Sequence, residues 1–119
     1  MEWLLQNHYI IQYAIVILAG VLYGGIVGLI PSAGPSKAAI MLFAIVSYFD
    51  LPDANYLFVM FSIATAVSCS IGDSFSSVLI GVPGAGGSAA TMVDGYPLTK
   101  QGKASYALSA AITISMNII

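Results

Sequence analysis

The 22 residues from Tyr9 to Ile30 carry no charge, and they run into Pro31-Ser-Ala-Gly-Pro35, through which an ordinary helix cannot continue. At 1.5 Å per residue such a run spans about 33 Å, enough to cross a hydrocarbon core of about 30 Å. The pattern then returns. Ala54 to Ile71 is apolar and uncharged, enters the polar cluster Gly72-Asp-Ser-Phe-Ser-Ser77, and after brief Val78–Val82 meets Pro83-Gly-Ala-Gly-Gly-Ser88. Composition agrees: 59% of residues are hydrophobic, 7% are charged and mean hydropathy is +0.95. Soluble domains carry about 25% charged residues. The expected fold class is therefore an all-α integral membrane protein, a single membrane domain over residues 1–119.

The charged residues exclude several functions. They are Glu2, Lys37, Asp50, Asp53, Asp73, Asp94, Lys100 and Lys103, with no arginine, so no basic groove for nucleic acid exists. Cys69 is the only cysteine, which excludes an internal disulfide and a cysteine metal cluster. His8 has no second ligand at metal-binding spacing and reads as structural or interfacial. No serine has a histidine partner and no carboxylates pair usefully, so nothing points to an enzyme or a bound cofactor. The acidic Met1-Glu-Trp start and the length of the following apolar run favour a retained membrane helix over a signal peptide. The last residues, Ala111–Ile119, stop inside an apolar run, as expected of a fragment or of half of something larger.

Spans are expected at about 9–30, 36–49 and 54–72, with a re-entrant helical hairpin at about 74–93 and a further span from about 104. Gly20, Gly24 and Gly28 repeat every four residues and predict a face for a closely packed neighbouring helix. Pro35 suits the first turn of the next helix, which is too short to cross unless it starts inside the membrane. Asp50-Leu-Pro-Asp53 reads as an interfacial turn with Asp53 as helix N-cap, and Asp94-Gly-Tyr-Pro97 as a turn at the membrane edge. Neither piece flanking Pro83–Ser88 crosses alone, which places the hairpin tip there. Irregular backbone at that depth must be buried in protein or line a cavity. Lys100 and Lys103 make the 99–103 connector a cytoplasmic one.

Each broken segment sets small residues before an apolar helix, leaving unpaired N–H groups at a helix end that carries about half a positive charge. That chemistry suits a carboxylate or phosphate, as at broken helices of secondary transporters. The candidate substrate-binding residues are Pro31, Ser32, Ala33, Gly34, Pro35, Ser74, Pro83, Gly84, Ala85, Gly86, Gly87 and Ser88. Lys37 either faces that anion or snorkels to an interface. Asp73, an acid in a membrane segment, either serves a coupling cation or proton, or caps a short helix beginning near Ser74.

Gly28-Leu-Ile-Pro-Ser-Ala-Gly-Pro35 and the longer block from Ile80 through Pro83-Gly-Ala-Gly-Gly-Ser88 and Asp94-Gly-Tyr-Pro97 to Lys-Gln-Gly-Lys-Ala104 resemble the large membrane subunit of tripartite tricarboxylate transporters, the TctA family. The resemblance runs in order to Leu108 and covers the N-terminal portion of a family chain several times longer. It implies a multi-pass permease of the bacterial inner (cytoplasmic) membrane, built as two inverted halves. A small membrane subunit and a periplasmic solute-binding protein would be its partners, a small organic anion such as a tri- or dicarboxylate its substrate, and a Na+ or H+ gradient its drive. The Pro-Gly loops would form the substrate site. Ser32 and Ala33 replace the family's usual Gly-Leu, Ile71-Gly72-Asp73-Ser74 its Tyr-Gly-Gly-Ser, and Gly81 a frequent Asn. An added acid at Asp73 repels a carboxylate. The alternative is a non-transporting membrane scaffold or assembly module, or a half-size protein that must dimerise.

Overall fold

The computed structural model describes residues 1–48 and 53–117. It is helical throughout: α1 Glu2–Leu29, α2 Pro35–Val46, α3 Ala54–Leu79, α4 Ser88–Lys100 and α5 Ala104–Asn117. Two of these, α1 and α3, are long and apolar enough to cross a membrane. At 28 and 26 residues they reach about 42 and 39 Å. Much of their apolar surface faces outward, including Leu18, Leu22 and Ile26 of α1 and Ile63 and Val67 of α3. Polar Thr65, Asp73, Ser76 and Ser77 lie buried instead. That inversion suits lipid, where helices associate through small and polar residues because the hydrophobic effect does not favour burial of leucine.

The glycine repeat does what its spacing predicts. Gly20, Gly24 and Gly28 are among the few buried residues of α1. A methyl added at Gly20 would sit 2.9 Å from Ala64 Cβ and the Phe61 carbonyl oxygen, and at Gly24 or Gly28 it would overlap the Thr65 or Cys69 carbonyl oxygen. Backbone therefore lies against backbone. Because α1 position 20 meets 61–64, 24 meets 65 and 28 meets 69, the two helices run parallel. Two hydroxyls cross the seam: Thr65 Oγ1 donates to Gly20 O at 3.3 Å and Ser68 Oγ to Val21 O at 2.7 Å.

Parallel neighbours require a return, and α2 runs in that direction. At 12 residues α2 rises only about 18 Å. Its Ala38 packs near the end of α1 with Val27 and Cys69, and its later Leu42, Ile45 and Val46 share a groove with Val16, Leu57 and Phe61. It thus runs against both long helices. The expected end of this helix at 49 and the turn residues Asp50 to Pro52 lie outside the described residues. Asp53 does occupy the N-cap position of α3, in left-handed backbone (φ 60°), but its side chain makes no capping bond; its carbonyl accepts from Tyr56 and Leu57.

Two expected breaks are absent. α3 does not stop at 72 but continues to Leu79, so the first arm of the expected 74–93 hairpin is the end of this long helix. Ser70, Ser74 and Ser77 each donate to the carbonyl four residues back (2.9, 3.2 and 2.8 Å), which satisfies their hydroxyls without leaving the helix. Asp94–Pro97 is likewise helical rather than a turn. The helix ends instead at Gly102 (φ 79°), where Lys103 N–H reaches Leu98 O and Gly102 N–H reaches Thr99 O, a Schellman closure. α5 then folds back over α3 and α4, with Ala107 buried.

Candidate functional site

After Leu79 the chain turns back on itself. Gly84 N–H donates to Asp73 Oδ1, so the Pro83–Gly87 segment lies beside a residue more than a turn earlier in α3. From there α4 runs in the same direction as the last turns of α3: Gly95 packs on Val78 and Thr99 Oγ1 donates to Val78 O at 2.8 Å. The other broken segment arrives at the same place. Gly34 is buried at φ 33°, a conformation L side chains rarely adopt, and a methyl there would lie 2.9 Å from Gly84 O and 3.7 Å from Ala85 Cβ. The two loops, some 50 residues apart in sequence, are in contact.

Their helices leave this contact in opposite directions, α2 back along α1 and α3, α4 onward past Val78. Two N-termini thus converge on one cavity of about 270 Å³, lined by Pro35, Ser70, Asp73, Ser74, Ala85, Gly87, Ser88 and Thr91. Among the described residues, Ser36, Lys37, Gly86 and Gly87 N–H have no hydrogen-bond acceptor, and of these residues Gly87 lines the cavity. Two helix ends of about half a positive charge each repel one another unless an anion sits between them. Asp73 supplies one such charge at the wall. It is 4% exposed, gives Oδ1 to Gly84, and its second oxygen has no partner among the described residues.

Of the residues singled out from sequence, Pro35, Asp73, Ser74, Ala85, Gly87 and Ser88 line this cavity. Pro31, Ser32, Ala33, Gly34, Pro83, Gly84 and Gly86 do not; they shape the two loops. Gly84 and Gly34 form the loop contact. Ser32, in left-handed backbone (φ 70°), is held by Lys37, whose Nζ donates to Ser32 O and, at 3.2 Å, to Ser32 Oγ. Lys37 thus clasps its own loop. The capping reading of Asp73 falls with the continuity of α3, since no helix begins at Ser74. Ser74 and Ser88 spend their hydroxyl protons on Ser70 O and Ala85 O, so they present lone pairs rather than protons to a ligand.

Ser70 and Thr91 also line the cavity and were not singled out from sequence. Each sits one helical turn from a residue that was, Ser70 before Asp73 and Ser74, Thr91 after Ser88. Helical spacing through 70–77 is the signal that finds Ser70; the polar cluster that begins at Gly72 obscured it by suggesting a break.

Residues 14–117 match the family model described as the tripartite tricarboxylate transporter TctA family. The chain is also 35% identical over 92 residues to a protein of Agrobacterium vitis described as an uncharacterized 52.8 kDa protein in TAR-I ttuC' 3'region. That match takes in 77% of this chain and 18% of the relative, so the chain spans less than a fifth of the relative's length. No solved structure matches it.

Proposed function

The chain belongs to the tripartite tricarboxylate transporter TctA family, and on that premise we propose that it forms the substrate-holding part of a membrane permease for small carboxylates. The observation that carries this reading is the convergence of the α2 and α4 N-termini on a single cavity, with their first amides unpaired. Backbone N–H groups at helix ends are the donors a carboxylate needs, and inside a bilayer water cannot compete for them. Tri- or dicarboxylates are the ligand class the family points to. In this reading α1 and α3 span the bilayer. The 80–87 segment and α4 form a re-entrant unit, and Lys100 and Lys103 mark the cytoplasmic face of a multi-pass protein of the bacterial inner membrane. A small membrane subunit and a periplasmic binding protein complete the system, and a Na+ or H+ gradient drives uptake through a carrier cycle rather than an enzymatic one.

Uptake of a radiolabelled carboxylate into vesicles carrying the complete system tests the reading. Gly87 lines the cavity, and a methyl added there meets nothing within 4 Å, so Gly87→Leu adds a side chain at the cavity with no clash at its Cβ. Uptake should fall at least about tenfold, the equivalent of one lost hydrogen bond to a charged group. Uptake equal to that of the unaltered protein would remove this cavity from the transport path.

A further inference from the structure

The cavity does not suit every carboxylate equally, because its two sides differ in what they can donate and accept. Where α4 begins it offers a donor, the amide of Gly87, which has no acceptor among the described residues. On the side of α3 it offers acceptors. Asp73 keeps one oxygen without a partner among the described residues, in a side chain that is 4% exposed. Ser70 and Ser74 donate their protons to Ala66 O and Ser70 O at 2.9 and 3.2 Å, which leaves their lone pairs free. Ser88, at the start of α4, donates to Ala85 O at 2.8 Å and accepts from Ala85 N–H at 3.3 Å, which leaves it one lone pair. A molecule with acceptors alone satisfies only one of these sides.

Charge points the same way. Two helix ends contribute about +1 together, and the Asp73 carboxylate contributes −1, so the site is close to neutral before any ligand enters. The remaining charged groups nearby do not change that sign. Lys37 is exposed and its Nζ is engaged by Ser32. Asp94, also exposed, lines the adjoining groove that shares Ser74 and Thr91 and adds negative charge on that side. A dicarboxylate or tricarboxylate brings two or three negative charges against a buried acid, whereas a net-neutral ligand brings none. At about 270 Å³ the cavity is slightly smaller than drug-sized small-molecule sites, which run from about 300 Å³ upward, and so suits a small ligand.

We propose that the ligand of this cavity is a small zwitterionic acid, its carboxylate on the Gly87 amide between the α2 and α4 N-termini and its ammonium on Asp73 with the Ser70 and Ser74 oxygens around it. The proposal rests on the permease reading above and narrows its carboxylates to those that carry their own cation. The cation facing Asp73 is then part of the substrate rather than the coupling ion.

The test compares two probes of matched length, 4-aminobutyrate and glutarate, in which an ammonium takes the place of one carboxylate. Calorimetric titration uses the full chain as it occurs in the cell, purified in detergent without its binding protein, so that no other subunit selects the ligand. The unaltered protein should bind 4-aminobutyrate at least about tenfold more tightly than glutarate. Asp73→Asn keeps an acceptor for Gly84 N–H and should erase or reverse that ratio. Ser70→Ala, remote from the Gly84 contact, should weaken 4-aminobutyrate several-fold and leave glutarate unchanged, which keeps the test decisive if the Asn variant fails to fold. Glutarate binding as tightly as 4-aminobutyrate, or a ratio indifferent to both substitutions, overturns the zwitterion and leaves the carboxylate permease standing. Failure of 4-aminobutyrate, glutarate and citrate alike to bind overturns both.

Discussion

Glycine serves opposite ends in the two regions that use it most. Along the α1–α3 seam, Gly20, Gly24 and Gly28 are helical and buried, and their missing side chains let one backbone lie on another. At the meeting of α2 and α4, Gly86 and Gly87 have open space where a side chain would go, and their contribution is an accessible amide. The first region is closed by packing and two interhelical hydroxyl bonds. The second is held open by a few polar contacts, Asp73 to Gly84 and Lys37 to Ser32, around a cavity with unpaired donors. Stability is thus concentrated in one place and ligand chemistry in the other, and α3 takes part in both.

Substitutions separate the two. The largest effect should come from the seam: Gly24→Ala drives a methyl into the Thr65 backbone, which cannot move as a side chain can, and should cost about 3 kcal/mol. Adjacent Gly25→Ala meets only Ser68 Oγ at 3.4 Å and should cost less than about 0.5 kcal/mol. Reversible unfolding in mixed micelles measures both, and equal costs would contradict the backbone contact. Next is the junction's own anchor. Asp73→Ala leaves Gly84 N–H without its acceptor and should destabilise by about 1–3 kcal/mol, while Asp73→Asn should recover most of that loss in the same assay. Thr65→Val removes one interhelical bond and should cost about 0.6 kcal/mol, as such bonds do in membranes. Smallest is Gly86→Ala, expected within about 0.5 kcal/mol of the unaltered protein, because nothing lies within 4 Å of the added methyl. A large loss there would mean that the loop is packed like the seam, and the contrast would fail.

The helices at either end of this contrast were legible to different degrees. Charge-free length marked α1, and the four-residue glycine spacing marked its buried face; both signals are local to one helix. The same reasoning misread 72–77, because glycine and serine disfavour helix in water. In α3 each serine there returns its proton to its own helix, and Gly72 packs against the backbone of Gly28. Pro97 misled in the same way: it lies in the last turn of α4, where only one upstream carbonyl loses its donor, so the helix carries through Asp94–Tyr96.

By itself, then, the sequence determined that this chain is helical and apolar, that α1 would find a close neighbour, and that helices would end at Pro31–Pro35 and Pro83–Ser88. These follow from residue type and from spacing within one turn or two. Only the tertiary structure decided that α1 and α3 run parallel, that the two broken segments touch, and that Asp73 holds the second of them by Gly84 N–H. Those outcomes depend on which distant backbone groups come within hydrogen-bond reach once α2 has folded back. Local propensity carries no information about that, because an unpaired amide at a helix end has the same sequence whether a carboxylate, a loop or a ligand comes to meet it.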